Sequence, residues 1–350
     1  MAIPPFMLFT PYQDFKLTEE GKEYKQIGSK AISENKVATL LLGGGQGTRL
    51  NSDGPKGCYL IEKINKTPFQ IHAEKILERS KKLRCKSILI IMTSSYTHEE
   101  TISYFKKHKN FGLDKIYYFK QGDLSCLDLN GGLLYFFDEP VKAPDGNGGL
   151  FKAITPLLSE LEQEGITLIN VSSVDNILAN HLDPILVGYL LVNDLDILSK
   201  SVNFHKPENA GIFVDHDGNA GVHEYIKKKS ERSAAYVYEE HKQANIANHL
   251  FTLEFIKRMG SIDLPIHRFP KKIPCIRDGV KVTPDHDNGI KQECFIFDAF
   301  HYGKSGVMNV PREKEFAPLK NSKGNKKDSP ETCAEAYLKI YGKENIKFAK

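Results

Sequence analysis

Two cations just past a run of glycines are the residues with the clearest chemistry to offer. The stretch Val37-Ala38-Thr39-Leu40-Leu41-Leu42-Gly43-Gly44-Gly45-Gln46-Gly47-Thr48-Arg49-Leu50 is followed closely by Gly54-Pro55-Lys56-Gly57. Its first six residues are apolar or β-branched and read as a buried strand. Glycines then open a loop whose backbone another group can approach closely. Bare main-chain N–H groups beside Arg49 and Lys56 suit a polyphosphate. The better-known glycine patterns do not fit. A dinucleotide fingerprint asks for glycine two and five positions after its first, and from Gly43 these hold Gly45 and Thr48. Gly303-Lys304-Ser305 has the ending of an ATPase phosphate loop, but Asp298 stands where its first glycine belongs. This is a phosphate cradle of another type. A plain strand-to-loop turn would leave Arg49 and Lys56 without a purpose.

Further candidates follow other strands. Gln121, in Phe119-Lys120-Gln121-Gly122, could offer an amide to a base or ribose, or could be an ordinary surface residue. Ala143-Pro144-Asp145-Gly146-Asn147-Gly148-Gly149 precedes a helical stretch, where a glycine-rich turn can hold a base or an anion. Asp175, in Val171-Ser172-Ser173-Val174-Asp175-Asn176, is a carboxylate at a strand's carboxyl end. It could ligate Mg²⁺, which takes a carboxylate or two plus substrate phosphates. It could equally cap a following helix. By residue type alone Glu224-Tyr225, Asn245-Ile246-Ala247-Asn248-His249, Asn288-Gly289-Ile290-Lys291 and Pro318-Leu319-Lys320-Asn321 do not stand out from surface and turn.

The first stretch resembles the signature of nucleotidyltransferases that make nucleotide sugars. In its detail, Leu-x-Gly-Gly-x-Gly-Thr-Arg-Leu then Pro-Lys-Gly, the chain is similar to eukaryotic UDP-N-acetylglucosamine pyrophosphorylases. Pro-Asp-Gly-Asn-Gly-Gly, Val-Asp-Asn and the four later motifs recur in the same order, from about Val37 to Asn321. Ordered recurrence is far more specific than any single motif. Gly43 stands where most of that family carries Ala. Ile226-Lys227-Lys228-Lys229 replaces the small and acidic residues usual after Glu-Tyr. The resemblance implies a reaction of UTP with N-acetylglucosamine 1-phosphate, giving UDP-N-acetylglucosamine and pyrophosphate. It also implies the roles. Leu42, Gly43, Gly44 and Gly45 cradle the nucleotide, and Gln121 and Gly146 read uracil. Arg49 and Lys56 hold the phosphates of UTP and the leaving pyrophosphate. Asp175 stands near Mg²⁺, and Lys291 and Lys320 hold the α-phosphate and the sugar phosphate. Asn147, Glu224, Tyr225 and Asn245 read the sugar. Gly211 offers it a backbone contact, and Phe295 and Phe297 wall the pocket for its N-acyl group. The alternatives are a UDP-glucose or UDP-N-acetylgalactosamine pyrophosphorylase, or a non-catalytic nucleotide-sugar sensor.

These residues need a scaffold that gathers strand ends. Apolar strands at 37–42, 87–92, 115–119 and 166–171 alternate with helical spacing at 69–83, 96–109 and 150–162. Such an order implies an α/β fold, Rossmann-like, with a mixed, mostly parallel central sheet flanked by helices and ligands beyond the carboxyl ends of its strands. The resemblance makes this a glycosyltransferase-A-like nucleotidyltransferase fold with a β-rich sugar-binding part, read over 196–240. A helix after Pro184, a helix over 251–259, a strand over 306–310 and a short helix near 331–341 complete the reading. The expected organisation is a lead-in segment over 1–36, with one short helix near 17–34. A catalytic domain covers 37–321, and a short tail covers 322–350, without the family's C-terminal domain. The Lys-rich stretch within 311–330 reads as a mobile loop.

The composition is that of an ordinary globular protein, 40% apolar and 26% charged. A net charge of +4 suits anionic substrates but is too weak to argue nucleic acid. Six cysteines without a CxxC pair argue against zinc and a disulfide scaffold and for a reducing compartment. No apolar run reaches membrane-spanning length, and the N-terminus carries no signal pattern. A cytoplasmic monomer is expected.

Overall fold

The computed structural model describes residues 9–52, 54–205, 210–216, 219–223, 243–277, 279–282 and 284–342. A ten-stranded sheet organises them. In spatial order it runs Phe9–Pro11, Ser305–Asn309, Ile197–Asn203, Gln243–Thr252, Leu168–Ser173, Val37–Leu42, Ile88–Thr93, Lys115–Lys120. Each neighbouring pair is parallel, except that Gln243–Thr252 runs antiparallel to both its neighbours. A hairpin of Ile212–His216 and Asn219–His223 branches from that strand. Residues 217–218 of the turn expected there lie outside the described residues, as does the strand expected over 234–238.

The pleat divides the core. Leu40, Leu42, Ile90 and Met92 face one side, packed with Phe151, Leu158, Phe255 and Ile256. Leu41, Leu89 and Ile91 face the other, under Phe69, Ile76 and Phe105 of the helices Pro68–Leu83 and His98–Lys107. Further along that second side the helix Pro184–Val192 lies on Leu168, Leu198 and Leu250. It is apolar all round because the helix Glu19–Ser33 covers its back. Gly28 and Gly188 let these two backbones touch. A Cβ added at either would sit 1.8 Å from a carbonyl oxygen of the other helix. The lead-in segment thus supplies a strand that was not expected, and the helix expected near 17–34 packs into the core.

Two expected helices shift. The helix expected over 150–162 is interrupted. It runs Leu150–Ala153, tightens into a 3₁₀ turn at Thr155–Leu157, and resumes as Leu158–Gln163, since Pro156 lacks the N–H a continuous helix needs. The helix expected over 251–259 begins only at Leu253, capped by Thr252, because Phe251 still belongs to the sheet. Near the C-terminus, helix Pro330–Tyr341 buries Cys333, Ala334 and Tyr337 against Leu50, Ile61, Ile71 and Leu319, tucked beneath the glycine loop.

Candidate active site

The glycine loop leaves the carboxyl end of Val37–Leu42 and folds back on itself. Gly47 N donates to Gly54 O at 3.0 Å, and Lys56 N to Gly45 O at 3.0 Å. This closure carries Arg49, on the 3₁₀ turn Thr48–Leu50, and Lys56, on the turn Lys56–Cys58, to one side of the loop. They border a cavity of about 420 Å³. Leu42, Gly44, Gly45, Gln121, Gly146, Asn147, Asp175 and Lys291 line the same cavity. A Cβ built on Gly45 would meet nothing within 4 Å. Packing therefore does not demand glycine there, and Gly45 borders the cavity. Gly43 lies deeper, its N–H donating to Met92 O at 2.8 Å.

Asp175 and Lys56 form an ion pair at 3.2 Å, largely withdrawn from water. Ser173 Oγ donates to the other carboxylate oxygen at 2.8 Å. Burial alone would raise the Asp175 pKa. The ammonium groups of Lys56 and Lys320, with the Ser173 hydroxyl, outweigh it and hold the carboxyl below its usual range. Asp175 does not cap a helix: the next helix begins at Pro184 and is capped by Asp183. Its carbonyl instead accepts from Leu319 N at 2.9 Å. That contact, with the bridge between Asn176 and Pro318, docks the Pro-Leu-Lys-Asn motif beside Asp175. Lys320 thus stands next to Asp175 without bordering the cavity itself.

The opposite wall is the 145–149 turn. Gly146 adopts φ 90°, and a Cβ there would lie 2.4 Å from Cys294 O. Gln121 is buried and donates its amide to Asp145 Oδ1 and Gly146 O, both at 3.0 Å. Burial raises the Asp145 pKa. Asn147 Oδ1 accepts from Ile296 N at 2.9 Å, tying this turn to the aromatic segment behind it. There Phe295 and Phe297 stack at 5.0 Å, with His267 beside Phe295 at 4.9 Å. Asn245 turns its side chain to Ala247 N, and Gly211 O accepts from Asn245 N. Gly211, Asn245, Phe295 and Phe297 lie outside the cavity lining. Glu224 and Tyr225 lie outside the described residues.

The cavity also contains residues that sequence reasoning passed over: Tyr96, Ser173, Ala247 and Glu293. Glu293 Oε1 holds Lys291 Nζ at 2.6 Å. The two stand two apart on the strand Gly289–Glu293, a spacing that puts both on one face. That spacing was the available signal. Among the described residues no three His, Cys, Asp or Glu side chains group as a metal-ligand set.

A glycine loop and paired lysines bordering one space suit the transfer of a nucleotidyl group between phosphates. The family described as UTP–glucose-1-phosphate uridylyltransferase matches residues 8–325, and the chain belongs to it. The probable UDP-N-acetylglucosamine pyrophosphorylase of Encephalitozoon cuniculi is 44% identical over 93% of each chain. The UDP-N-acetylglucosamine pyrophosphorylase of Saccharomyces cerevisiae is 37% identical over 92% of this chain and 72% of its own. Among solved structures, the putative UDP-N-acetylglucosamine pyrophosphorylase of Entamoeba histolytica superposes with a TM-score of 0.81 at 32% identity, covering 91% of this chain and 85% of that one. The Trypanosoma brucei uridine diphosphate N-acetylglucosamine pyrophosphorylase, in complex with an inhibitor, gives 0.82 at 29% identity, over 96% and 72%.

Proposed function

We propose that this chain is a uridylyltransferase that makes UDP-N-acetylglucosamine and pyrophosphate from UTP and N-acetylglucosamine 1-phosphate. The observation that carries the reading is the meeting of Arg49, Lys56, Asp175 and Lys291 around one cavity, with Lys320 beside Asp175. An oxygen of the sugar phosphate forms a bond to the α-phosphorus of UTP. The bond from that phosphorus to the bridging oxygen breaks, and pyrophosphate leaves with the electron pair. The attacking oxygen is already ionised, so no general base is needed. The obstacle is repulsion between two anions, and the protein's part is position and charge.

Lys56 and Arg49 take the triphosphate, Lys291 and Lys320 the α-phosphate and the sugar phosphate. Gln121 and Gly146 edge the uracil, and Leu42, Gly43, Gly44 and Gly45 form the cradle. Asn147, Gly211, Asn245, Glu224 and Tyr225 meet the sugar, with Phe295 and Phe297 against its N-acyl group. Asp175 fits Mg²⁺, because its lowered carboxyl is ionised and a single carboxylate plus phosphates and water is a common Mg²⁺ set. When bound there, the ion supplies neutralising charge to the phosphates.

We read the protein as a cytoplasmic monomer. Among the described residues no helix is long and apolar enough to cross a membrane, and all six cysteines are free thiols. The test is pyrophosphate release from UTP and Mg²⁺ with a panel of sugar 1-phosphates. N-acetylglucosamine 1-phosphate should be turned over fastest. Preference for glucose or N-acetylgalactosamine 1-phosphate would move the assignment to that sugar, and UDP-N-acetylglucosamine binding without any release would make the protein a sensor.

A further inference from the structure

Between Ser173 and Pro184 the chain crosses the core with no regular structure, although Val174, Asn176, Ile177, Leu178, Ala179, His181 and Leu182 are all buried. Buried carbonyls need donors. One face of the helix Pro68–Leu83 supplies them. His72 Nε2 lies 3.0 Å from Val174 O, and Lys75 Nζ donates to Ile177 O at 3.2 Å and to Ala179 O. Arg79 Nε donates to Leu182 O at 3.2 Å. A carbonyl can only accept, so His72 carries its proton on Nε2. Its Nδ1 therefore accepts from His181 Nε2, 2.9 Å away.

A second set grips the connection from the other side. Lys200, wholly buried, donates to Asn180 O at 3.3 Å and to both Glu315 oxygens at 3.1 and 3.2 Å. Glu315 Oε2 accepts from Asn180 N at 3.1 Å. Asn176 then bridges onward, its amide donating to Glu315 O at 2.8 Å while its Oδ1 accepts from Ala317 N at 3.0 Å. None of the side chains that hold the connection, His72, Lys75, Arg79, Lys200, Glu315 or Asn176, borders the cavity. Replacing buried ion pairs by apolar packing is often neutral or stabilising, so stability alone does not account for so many buried charges. What they share is the connection itself, whose carbonyls at Val174, Ile177, Ala179, Asn180 and Leu182 are each held by one of these side chains.

We infer that Lys75 is a positioning residue for nucleotidyl transfer: with His72, Arg79 and the Lys200–Glu315 pair it fixes Asp175 and Lys320 in one mutual geometry. The inference rests on the roles given above to those two residues. Burial, helped by the charges of Lys200 and Arg79, lowers the Lys75 ammonium to about 7, and the amine still donates when neutral.

The test uses the full chain with Lys75→Met. UTP affinity is measured by calorimetry with Mg²⁺ and in EDTA, alongside kcat, KM and a thermal melt. The gain in UTP affinity on adding Mg²⁺ should shrink at least about fivefold with the EDTA value unchanged. The kcat should fall about ten- to a hundredfold, the size expected of a sub-ångström to ångström misplacement. Lys75→Gln, which keeps an N–H donor, should recover part of both. Loss of affinity in EDTA as well, or an unchanged Mg²⁺ gain and kcat, would overturn the inference. If Lys75→Met does not melt cooperatively, Arg79→Met takes its place with the same outcomes. Asp175→Asn separates the two readings: if it keeps the Mg²⁺ gain, the role of Asp175 fails, whatever Lys75 does.

Discussion

At the scale of single residues, each lysine bordering the cavity faces a carboxylate, and the two pairs do different things. Lys56 and Asp175 neutralise each other inside a poorly hydrated wall. Lys56→Ala removes a cation from the phosphates and leaves a buried charge without its counter-ion. Turnover should drop at least about a hundredfold, the cost of one preorganised electrostatic contact. Arg49→Ala should cost as much. Either variant running near the parent rate in a pyrophosphate-release assay, with its fold intact by circular dichroism, would remove that residue from the chemistry. Glu293 competes with phosphate for Lys291. Glu293→Gln should therefore lower the KM for the sugar phosphate by about two- to fivefold, what a partly exposed pair is worth. A KM that rises would mean that Glu293 orients Lys291 rather than competing for it.

At the scale of elements, what the sequence made legible was whatever combined an apolar strand with a chemical residue just beyond it. Val37–Leu42, Ile88–Thr93 and the Ile116–Phe119 centre of Lys115–Lys120 are runs of apolar, β-branched or aromatic residues, and the ends of the first and last delivered the glycine loop and Gln121. The strand Gln243–Thr252 was not legible. Its Asn and His residues break any apolar pattern, and the buried ones find one partner each on a neighbouring strand: Asn248 Oδ1 accepts from Asn170 Nδ2 at 2.8 Å, and His249 Nδ1 meets Ser199 at 2.9 Å, while Asn248 Nδ2 and His249 Nε2 find none among the described residues. No local pattern announces a partner on another strand. For the same reason His72 reads as one more core position of its helix, while its bond to Val174 is visible only in three dimensions. The contact of Glu19–Ser33 with Pro184–Val192 was equally hidden, since it depends on two glycines far apart in sequence. Gly188→Ala forces a methyl group against Tyr24 O. It should cost about 1–3 kcal/mol, an ordinary overpacking penalty. The melting temperature should fall while kcat below the melt stays near the parent value. An unchanged melt would show that the helices can separate without loss.

At the scale of the whole molecule, buried histidines make stability depend on pH. Burial, with the charge of Lys75, lowers His72 to about 3, and burial lowers His249 to about 3. In the unfolded chain both titrate near 6.5. Between these values the unfolded state takes up protons that the folded state refuses, so stability is full above about 6.5 and falls as pH drops towards 3. Each group contributes a slope of up to about 1.4 kcal/mol per pH unit. His181, also lowered, and Asp175 act in the same direction. Glu315, raised by burial, opposes them. Urea unfolding from neutral pH to about pH 5 should show the decline, and His249→Asn should make it shallower. A flat profile would contradict the burial of these rings.

Segments far apart in the chain meet the same machinery. Among the described residues Phe9–Pro11 pairs with Ser305–Asn309, and the helix ending at Tyr341 roofs the hydrophobic floor shared by Leu50 and Leu319. During synthesis, then, the apolar floor beneath the glycine loop stays incomplete until residues 330–341 have cleared the exit tunnel. A fragment ending at residue 329 would carry Lys56, Lys291 and Lys320 and still lack that floor, and it should release no pyrophosphate in the assay that reads the parent.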